Sequence, residues 1–146
     1  MPFNYSSEGF FVIEHLRFRR VWIGIGVLMV LFVAVLSLVR LPPPVTTFML
    51  HDKLMHTFVY ACLMGWFAQI YRHDLTRLVL AIALIALGIG VEVAQGATEY
   101  RQLEFLDMIA NTSGVVLAWA LAYTWVGNVL SRVEQYSCKA LIRAAE

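Results

Sequence analysis

The sequence predicts an all-α protein that crosses a membrane as a bundle of four helices, with both termini in the cytoplasm. Of its 146 residues, 60% are hydrophobic and only 14% are charged, whereas a soluble domain carries about 25% charged residues. The charges lie in short clusters between long apolar runs, which is typical of membrane spans. The basic residues are divided unevenly between the loops, and this division predicts the orientation.

Four apolar runs are long enough to cross the hydrocarbon core of a bilayer as helices. They cover about residues 21–39, 54–71, 78–95 and 108–130. The first run has no charged residue, and its length as a helix is roughly 28 Å, close to the thickness of that core. Arg40 and three prolines end this run, because proline lacks the N–H group that a helix needs. We expect an uncleaved first span and one domain over residues 1–146.

Basic residues indicate which way such a bundle faces, since cytoplasmic loops carry the excess of Lys and Arg. Eight of them precede the first run, follow the fourth, or separate the second from the third: Arg17, Arg19, Arg20, Arg72, Arg77, Arg132, Lys139 and Arg143. Three belong to the other side: Arg40, Lys53 and Arg101. We therefore expect both termini and the loop 72–77 in the cytoplasm, and topology alone explains the two arginines of that loop.

Polar residues collect at one end of three runs, and the predicted orientation places all three ends at the outer surface. They are Asp52, Lys53, His56 and Tyr60 near the second run, Glu92 and Gln95 in the third, and Asp107 and Asn111 in the fourth. Each set occupies a narrow arc of its helix. Gly88 and Gly114 lie on the same arcs and let helices approach closely. We expect a buried polar cluster in the outer leaflet, which Arg101 closes from the loop above.

Several of these residues also have a structural explanation. Charged side chains at the ends of spans often only reach towards the interface, which would account for Asp52, Lys53 and Asp107. His56 and Tyr60 fit a hydrogen-bonded pair in the core as well as they fit a catalytic role. For these positions the residue types alone leave both interpretations open.

Glu92 is different because about one turn of helix follows it before the third run ends. An ionisable group at that depth usually faces a partner or a water-filled cavity. A structural ion pair with Lys53 or Arg101 is the alternative. A metal site from His56, Glu92 and Asp107 has suitable ligand types but lacks the H-E-x-x-H kind of spacing, so we expect no metal and no cofactor.

Three short motifs in these runs resemble the VanZ-like family. The stretch from Asp52 to Phe58 is similar to its D-K-x-x-H-F motif, with the aromatic residue one place later. The pattern E-x-x-Q, R, D-x-x-x-N-x-x-G is matched in order and spacing by Glu92, Gln95, Arg101, Asp107, Asn111 and Gly114. Ala118 stands where the family often has a second glycine. The motifs cover residues 52–114, and the hydrophobic profile extends the resemblance over the whole chain.

The resemblance implies a small multi-pass protein of the bacterial cytoplasmic (inner) membrane that serves the cell envelope. One group of the family is linked to low-level resistance to lipoglycopeptide antibiotics such as teicoplanin. The resemblance therefore implies a compartment and a residue cluster rather than a reaction. The expected partners are membrane lipids, including lipid-linked envelope precursors. A net charge of +1 and the absence of a basic stripe with interleaved aromatics argue against nucleic acid.

Two functions compete on this evidence, and the sequence leaves the oligomeric state open. In the first, the protein is an enzyme that acts on an anionic, lipid-linked head group at the outer face. Its candidate acid–base groups are Glu92, Asp107 and His56. Its candidate substrate-binding residues are Asp52, Lys53, Tyr60, Gln95, Arg101 and Asn111. In the second, the protein is a non-catalytic accessory or binding protein, whose cluster is structural or binds a partner. A proton-linked transporter is a weaker third hypothesis, since four short spans leave little room for a pathway.

Overall fold

A computed structural model describes residues 16, 18–39, 49–98 and 103–144. Over these residues the chain forms helices and no strand, which confirms the all-α part of the prediction. The helices are α1 (Arg19–Leu38), α2 (Met49–Ile70), α3 (Asp74–Gly96), α4 (Phe105–Leu121) and α5 (Val129–Ala144), and a short 3-10 helix (Trp125–Asn128) joins the last two.

Among the described residues, α1 and α3 are each long and apolar enough to cross a membrane. The pair α4–α5 passes the same test only when both helices are taken together, which raises the count to three. Helix α2 is not counted, and polar residues such as Lys53, His56 and Gln69 interrupt its apolar sequence. The helices agree with a membrane protein, whereas four crossings and the orientation stay predictions.

Helix α2 lies at the centre and makes its most extensive contact with α4, with α1 and α3 on its other sides. A Cβ added at Gly114 would lie 2.1 Å from the carbonyl oxygen of Thr57, so the two backbones touch there. Gly65 faces Ala118 one to two turns further along both helices. Helices α2 and α4 therefore run side by side in the same direction, and both begin at the same end of the bundle.

The hydrophobic core lies between α2, α3 and α4. Its buried members are Tyr60, Leu63, Met64, Ala68, Ala81, Leu84, Val115, Ala118 and Ala122. Gly88 brings α3 close to this core, because an added Cβ would lie 3.2 Å from both the Tyr60 ring and Asn111. The small residues that the sequence places on the polar arcs thus allow the close packing that was expected of them.

Helix α1 is peripheral, which agrees with the absence of a polar cluster from the first apolar run. Of its residues only Gly26 is buried, and large side chains such as Phe32 are exposed. Gly26 contacts α2, since an added Cβ would lie 2.8 Å from the Phe67 ring. Trp22 packs edge-on against Trp66 at 5.7 Å between ring centroids.

The fourth apolar run is not the continuous helix that the sequence predicts over 108–130. Helix α4 ends at Leu121, and the segment Trp125–Ser137, which comprises the 3-10 helix and the first part of α5, leaves at an angle of 76° to it. The Thr124 hydroxyl donates to the carbonyl oxygen of Leu121 at 2.6 Å and so stabilises the break. Gly127 is required there, because a Cβ would lie 2.1 Å from the carbonyl oxygen of Ala122. No proline marks the break, so an apolar pattern does not disclose it.

Arg77 does more than the topological role that the sequence assigns to it. Its guanidinium donates to the carbonyl oxygens of Tyr71 at 2.8 Å and Ala68 at 2.7 Å, which are left without helical partners where α2 ends. The same group lies over the Tyr123 ring at 5.3 Å. A buried arginine thus closes the end of the bundle opposite to the polar cluster.

Candidate functional site

A polar cluster lies where α2 and α4 begin. Because these parallel helices touch at Gly114, the residues one and two turns earlier on each helix also face one another. The cluster consists of Asp52, Lys53 and His56 from α2, and Glu104, Asp107 and Asn111 from the start of α4. We call it the α2–α4 cluster.

Lys53 connects the two helices within the α2–α4 cluster. Its ammonium group donates to Asp107 Oδ1 and, at 2.5 Å, to Glu104 Oε2. Asp52 Oδ2 lies 3.7 Å from the same nitrogen. The Asp107 side chain is only 9% exposed, so this ion pair lies in a partly dry environment, where it is stronger than at the surface.

Glu104 is a member of the cluster that the sequence reasoning missed. It precedes α4 and lies three residues before Asp107, a separation that brings two side chains to the same face of a helix. The spacing to Asp107 could have identified Glu104. Glu104 precedes the fourth apolar run, however, where only loop residues were expected.

The described part of the cluster carries more negative than positive charge. Lys53 is its only permanently charged cation there, and it faces the carboxylates of Asp52, Glu104 and Asp107. Lys53 counted against these three carboxylates leaves two negative charges in excess. Arg101, which the sequence places in the same cluster, lies outside the described residues.

His56 lies between the amide of Asn111 and two carboxylates. Its Nδ1 is 3.1 Å from Asn111 Oδ1, and Asn111 is 2% exposed. On the opposite side of the ring, Nε2 is 3.6 Å from Asp107 Oδ2 and 4.0 Å from Asp52 Oδ1. The imidazole is thus oriented by a buried amide and presents its other nitrogen to acidic groups.

A second polar layer lies deeper, where Tyr60 and Glu92 are almost completely buried. Glu92 is 1% exposed, so it faces the protein interior and not lipid, as expected. The Tyr60 hydroxyl has no hydrogen-bond partner among the residues that the structure describes. Gly88 makes room for this layer, since it contacts both the Tyr60 ring and Asn111.

Gln95 belongs to a different set of contacts from the one expected. It is buried, and its Nε2 donates to the carbonyl oxygen of Ser37 in α1 at 2.7 Å. It therefore joins α3 to the peripheral helix. The sequence reasoning placed it in the head-group cluster because a helical arc gives the direction of a side chain only relative to its own helix axis.

The predicted site residues thus fall into three groups. Asp52, Lys53, His56, Asp107 and Asn111 come together in the α2–α4 cluster; Tyr60 and Glu92 form the layer beneath it; Gln95 is directed to α1. No known protein family, no curated protein and no solved structure matches this chain.

Proposed function

We propose that this chain is a VanZ-like, multi-pass protein of the bacterial inner membrane that binds an anionic, lipid-linked head group of the cell envelope at its outer face. The observation that carries the proposal is a gradient of exposure through the polar residues. Asp52 and Glu104 have side chains 55% and 54% exposed, whereas Asp107 is 9% exposed and Glu92 is fully buried. A polar path therefore leads from the surface into an otherwise apolar bundle, and such a path in a membrane protein usually has a function.

Donor groups along this path fit a phosphorylated head group. Lys53 lies on this path, but three carboxylates more than offset its charge. The proposal therefore relies on the further positive charge that the sequence predicts from Arg101, and Arg in particular forms paired hydrogen bonds with phosphate oxygens. The Tyr60 hydroxyl adds a neutral donor that no described residue accepts. The lipid chain would remain among the apolar side chains that line the exposed faces of the helices.

The same groups have the chemistry for proton transfer. His56 has one nitrogen directed to Asn111 and the other directed to Asp107, the arrangement in which an imidazole relays protons with a fixed orientation. Asp107 and the buried Glu92 are the carboxyl groups available as acid or base. In the enzymatic form of the proposal, these three residues transfer protons to or from the bound head group.

An accessory function without catalysis is the second candidate, and one observation favours it. Carboxylates from both helices already surround the Lys53 ammonium group. An ion-pair network of this kind holds α2 and α4 together whether or not a ligand binds. In that case the cluster is structural, and the protein acts through a partner.

Charge-neutral variants of the carboxyl groups separate the two candidates. Glu92→Gln and Asp107→Asn keep the size and most hydrogen bonds but remove the proton-transfer group. If the protein is an enzyme, both should abolish activity in a lipid-turnover or envelope-antibiotic assay while the protein is made at normal levels. Full activity in both variants would refute catalysis.

Variants of the cations complete the test. Lys53→Ala and Arg101→Ala should abolish function whether the protein only binds the head group or also modifies it, because both functions need the positive charge. Arg132→Ala is a matched control, since it removes a cation beyond the α4–α5 break, far along the chain from the cluster. If the cation variants are inactive while Glu92→Gln and Asp107→Asn are active, the protein binds the head group without catalysis.

A further inference from the structure

Three side chains of the α2–α4 cluster direct electron-pair donors towards a common point. One oxygen each of Asp52 and Asp107 and one ring nitrogen of His56 all lie within 4.8 Å of one another. The three residues come from two helices whose register is fixed by the close contact at Gly114. The group is therefore assembled by the fold and is not a chance cluster of acids on one surface loop.

The buried amide of Asn111 determines which nitrogen of His56 carries hydrogen. Asn111 presents its Oδ1, which accepts hydrogen bonds, to the ring, and this favours the tautomer with hydrogen on the Nδ1 atom at 3.1 Å. In neutral histidine the Nε2 atom then carries a lone pair, and this atom faces Asp107 and Asp52. Histidine ligands of metals usually have this second hydrogen bond, which fixes both the tautomer and the ring orientation.

Lys53 leaves the point between these three donors open, because it bonds Asp107 through Oδ1, whereas the atom of Asp107 that faces His56 is Oδ2. The three carboxylates of the described cluster carry two more charges than Lys53 offsets, and a divalent cation would balance this excess.

We propose that Asp52, His56 and Asp107 form a binding site for a divalent transition-metal cation, with Asn111 as the residue that orients the histidine. The distances agree with this assignment. A tetrahedral ion about 2.1 Å from each ligand separates the ligand atoms by roughly 3.4 Å. Nε2 is 3.6 Å and 4.0 Å from its two carboxylate neighbours, and the three atoms lie within 4.8 Å of one another, so side-chain rotations would be needed to bring them to this spacing.

The ligand set indicates the class of cation. A mixture of imidazole and carboxylates suits Zn²⁺, Mn²⁺ or Fe²⁺, whereas Ca²⁺ and Mg²⁺ prefer oxygen ligands alone. Three protein ligands also leave a coordination position open, as in catalytic metal sites. The metal site does not depend on the proposed head-group function, but a bound ion would supply the positive charge that a phosphate needs beside these carboxylates. With His56 and Asp107 as its ligands, Glu92 would remain as the acid–base group of the enzymatic form.

Metal titration of the full chain tests the site without any lipid or activity assay. The protein, purified in detergent and treated with a chelator, is titrated with Zn²⁺ by calorimetry and with Co²⁺ by visible absorption. We expect one ion per chain, and Asp52→Asn, His56→Asn and Asp107→Asn should each weaken binding by about tenfold or more. Asn111→Ala should also weaken it, because the histidine loses its orienting partner.

Matched controls distinguish this site from general attraction of cations. His73→Asn and Asp74→Asn remove the same residue types next to the end of α2 that is remote from the cluster, and binding should be unchanged. Lys53→Gln should tighten metal binding, because it removes a positive charge bonded to Asp107. The same substitution should weaken the binding of an anion, so the direction of the change in affinity distinguishes a cation site from an anion site.

The proposal is overturned if the wild-type protein binds neither ion, or if the three ligand variants bind them as the wild type does. Asp52→Asn keeps the test decisive should the buried Asp107→Asn variant fail to fold, since Asp52 is exposed. Circular dichroism of each variant confirms that the helices are retained. Loss of head-group binding with intact metal binding would refute the proposed function and leave the metal site standing.

Discussion

Lys53 and Asp107 form the contact on which the α2–α4 cluster depends most. Asp107 is largely shielded from water, whereas Glu104 is 54% exposed and water can solvate it. An exposed ion pair contributes little to stability, while a carboxylate left without its cation in a shielded position is costly. The two acids that bond the same ammonium group should therefore respond very differently to substitution.

Lys53→Met should lower the free energy of unfolding by about 1–3 kcal/mol, because the shielded Asp107 carboxylate loses its cation. The partial exposure of Lys53 keeps the loss below that of a fully buried pair. In the background of Asp107→Asn the same substitution should cost much less. A double-mutant cycle, measured by chemical unfolding in detergent, gives the coupling energy.

Glu104→Gln is the control for this cycle and should cost less than about 1 kcal/mol. A coupling energy near zero between Lys53 and Asp107 would contradict the structure at this contact. Equal losses for Glu104→Gln and Asp107→Asn would also contradict it, since the two differ in exposure.

At the scale of helices, the contact between α2 and α4 is set by a glycine rather than by a large interlocking side chain. The chain offers a matched pair of positions to test this. A Cβ at Gly114 would meet the backbone of α2, whereas one at Gly90, in α3, would meet no atom within 4 Å. Both glycines lie inside helices, so the helix-forming tendency of alanine acts equally at each.

Gly114→Ala should therefore destabilise the protein by about 1–3 kcal/mol, because α2 and α4 must move apart. Gly90→Ala should be neutral or stabilise it by up to about 1 kcal/mol, since alanine favours the helix. Thermal unfolding in detergent compares the two variants directly. Similar effects at both positions would show that helix propensity, and not packing, governs Gly114.

The sequence predicts which helices carry the polar residues more reliably than it predicts how the helices face one another. Asp107 was placed correctly because its arc also carries Gly114, and Asp52 and His56 because they share one narrow arc of α2. Gln95 was placed in the wrong set, since the rotation of α3 against α1 depends on tertiary packing. The break after Leu121 could not be predicted, because it depends on the fit of Gly127 against the backbone and not on hydropathy.

For the whole molecule, the untested prediction is the orientation in the membrane. The orientation matters for the bend between α4 and α5, because it determines at which side of the membrane the chain leaves the bundle after Leu121. Arg77 lies in the end of the bundle opposite to the α2–α4 cluster. The basic residues of the loops predict that the end with Arg77 is cytoplasmic.

Alkaline phosphatase, which is active only outside the cytoplasmic membrane, tests this orientation. A fusion after Arg101 should be active, and a fusion after Asp74 should be inactive. A fluorescent protein that matures only in the cytoplasm provides the complementary control and should be bright after Asp74. The reverse pattern would overturn the orientation and, with it, the placement of the cluster at the outer face.

The parallel course of α2 and α4 has an electrostatic consequence for the acids between them. Each helix carries a partial positive charge at its N-terminus, because its backbone dipoles are aligned. Asp52 and Asp107 lie in the first turns of α2 and α4, so two such positive ends meet at the same carboxylates. Each favourable placement is worth about 0.3–1 kcal/mol. Helix α3 ends beside them instead of beginning there, so Glu92, close to that end, meets the negative pole of its own helix. The backbone dipoles thus attract the carboxylates of Asp52 and Asp107 and repel that of the buried Glu92.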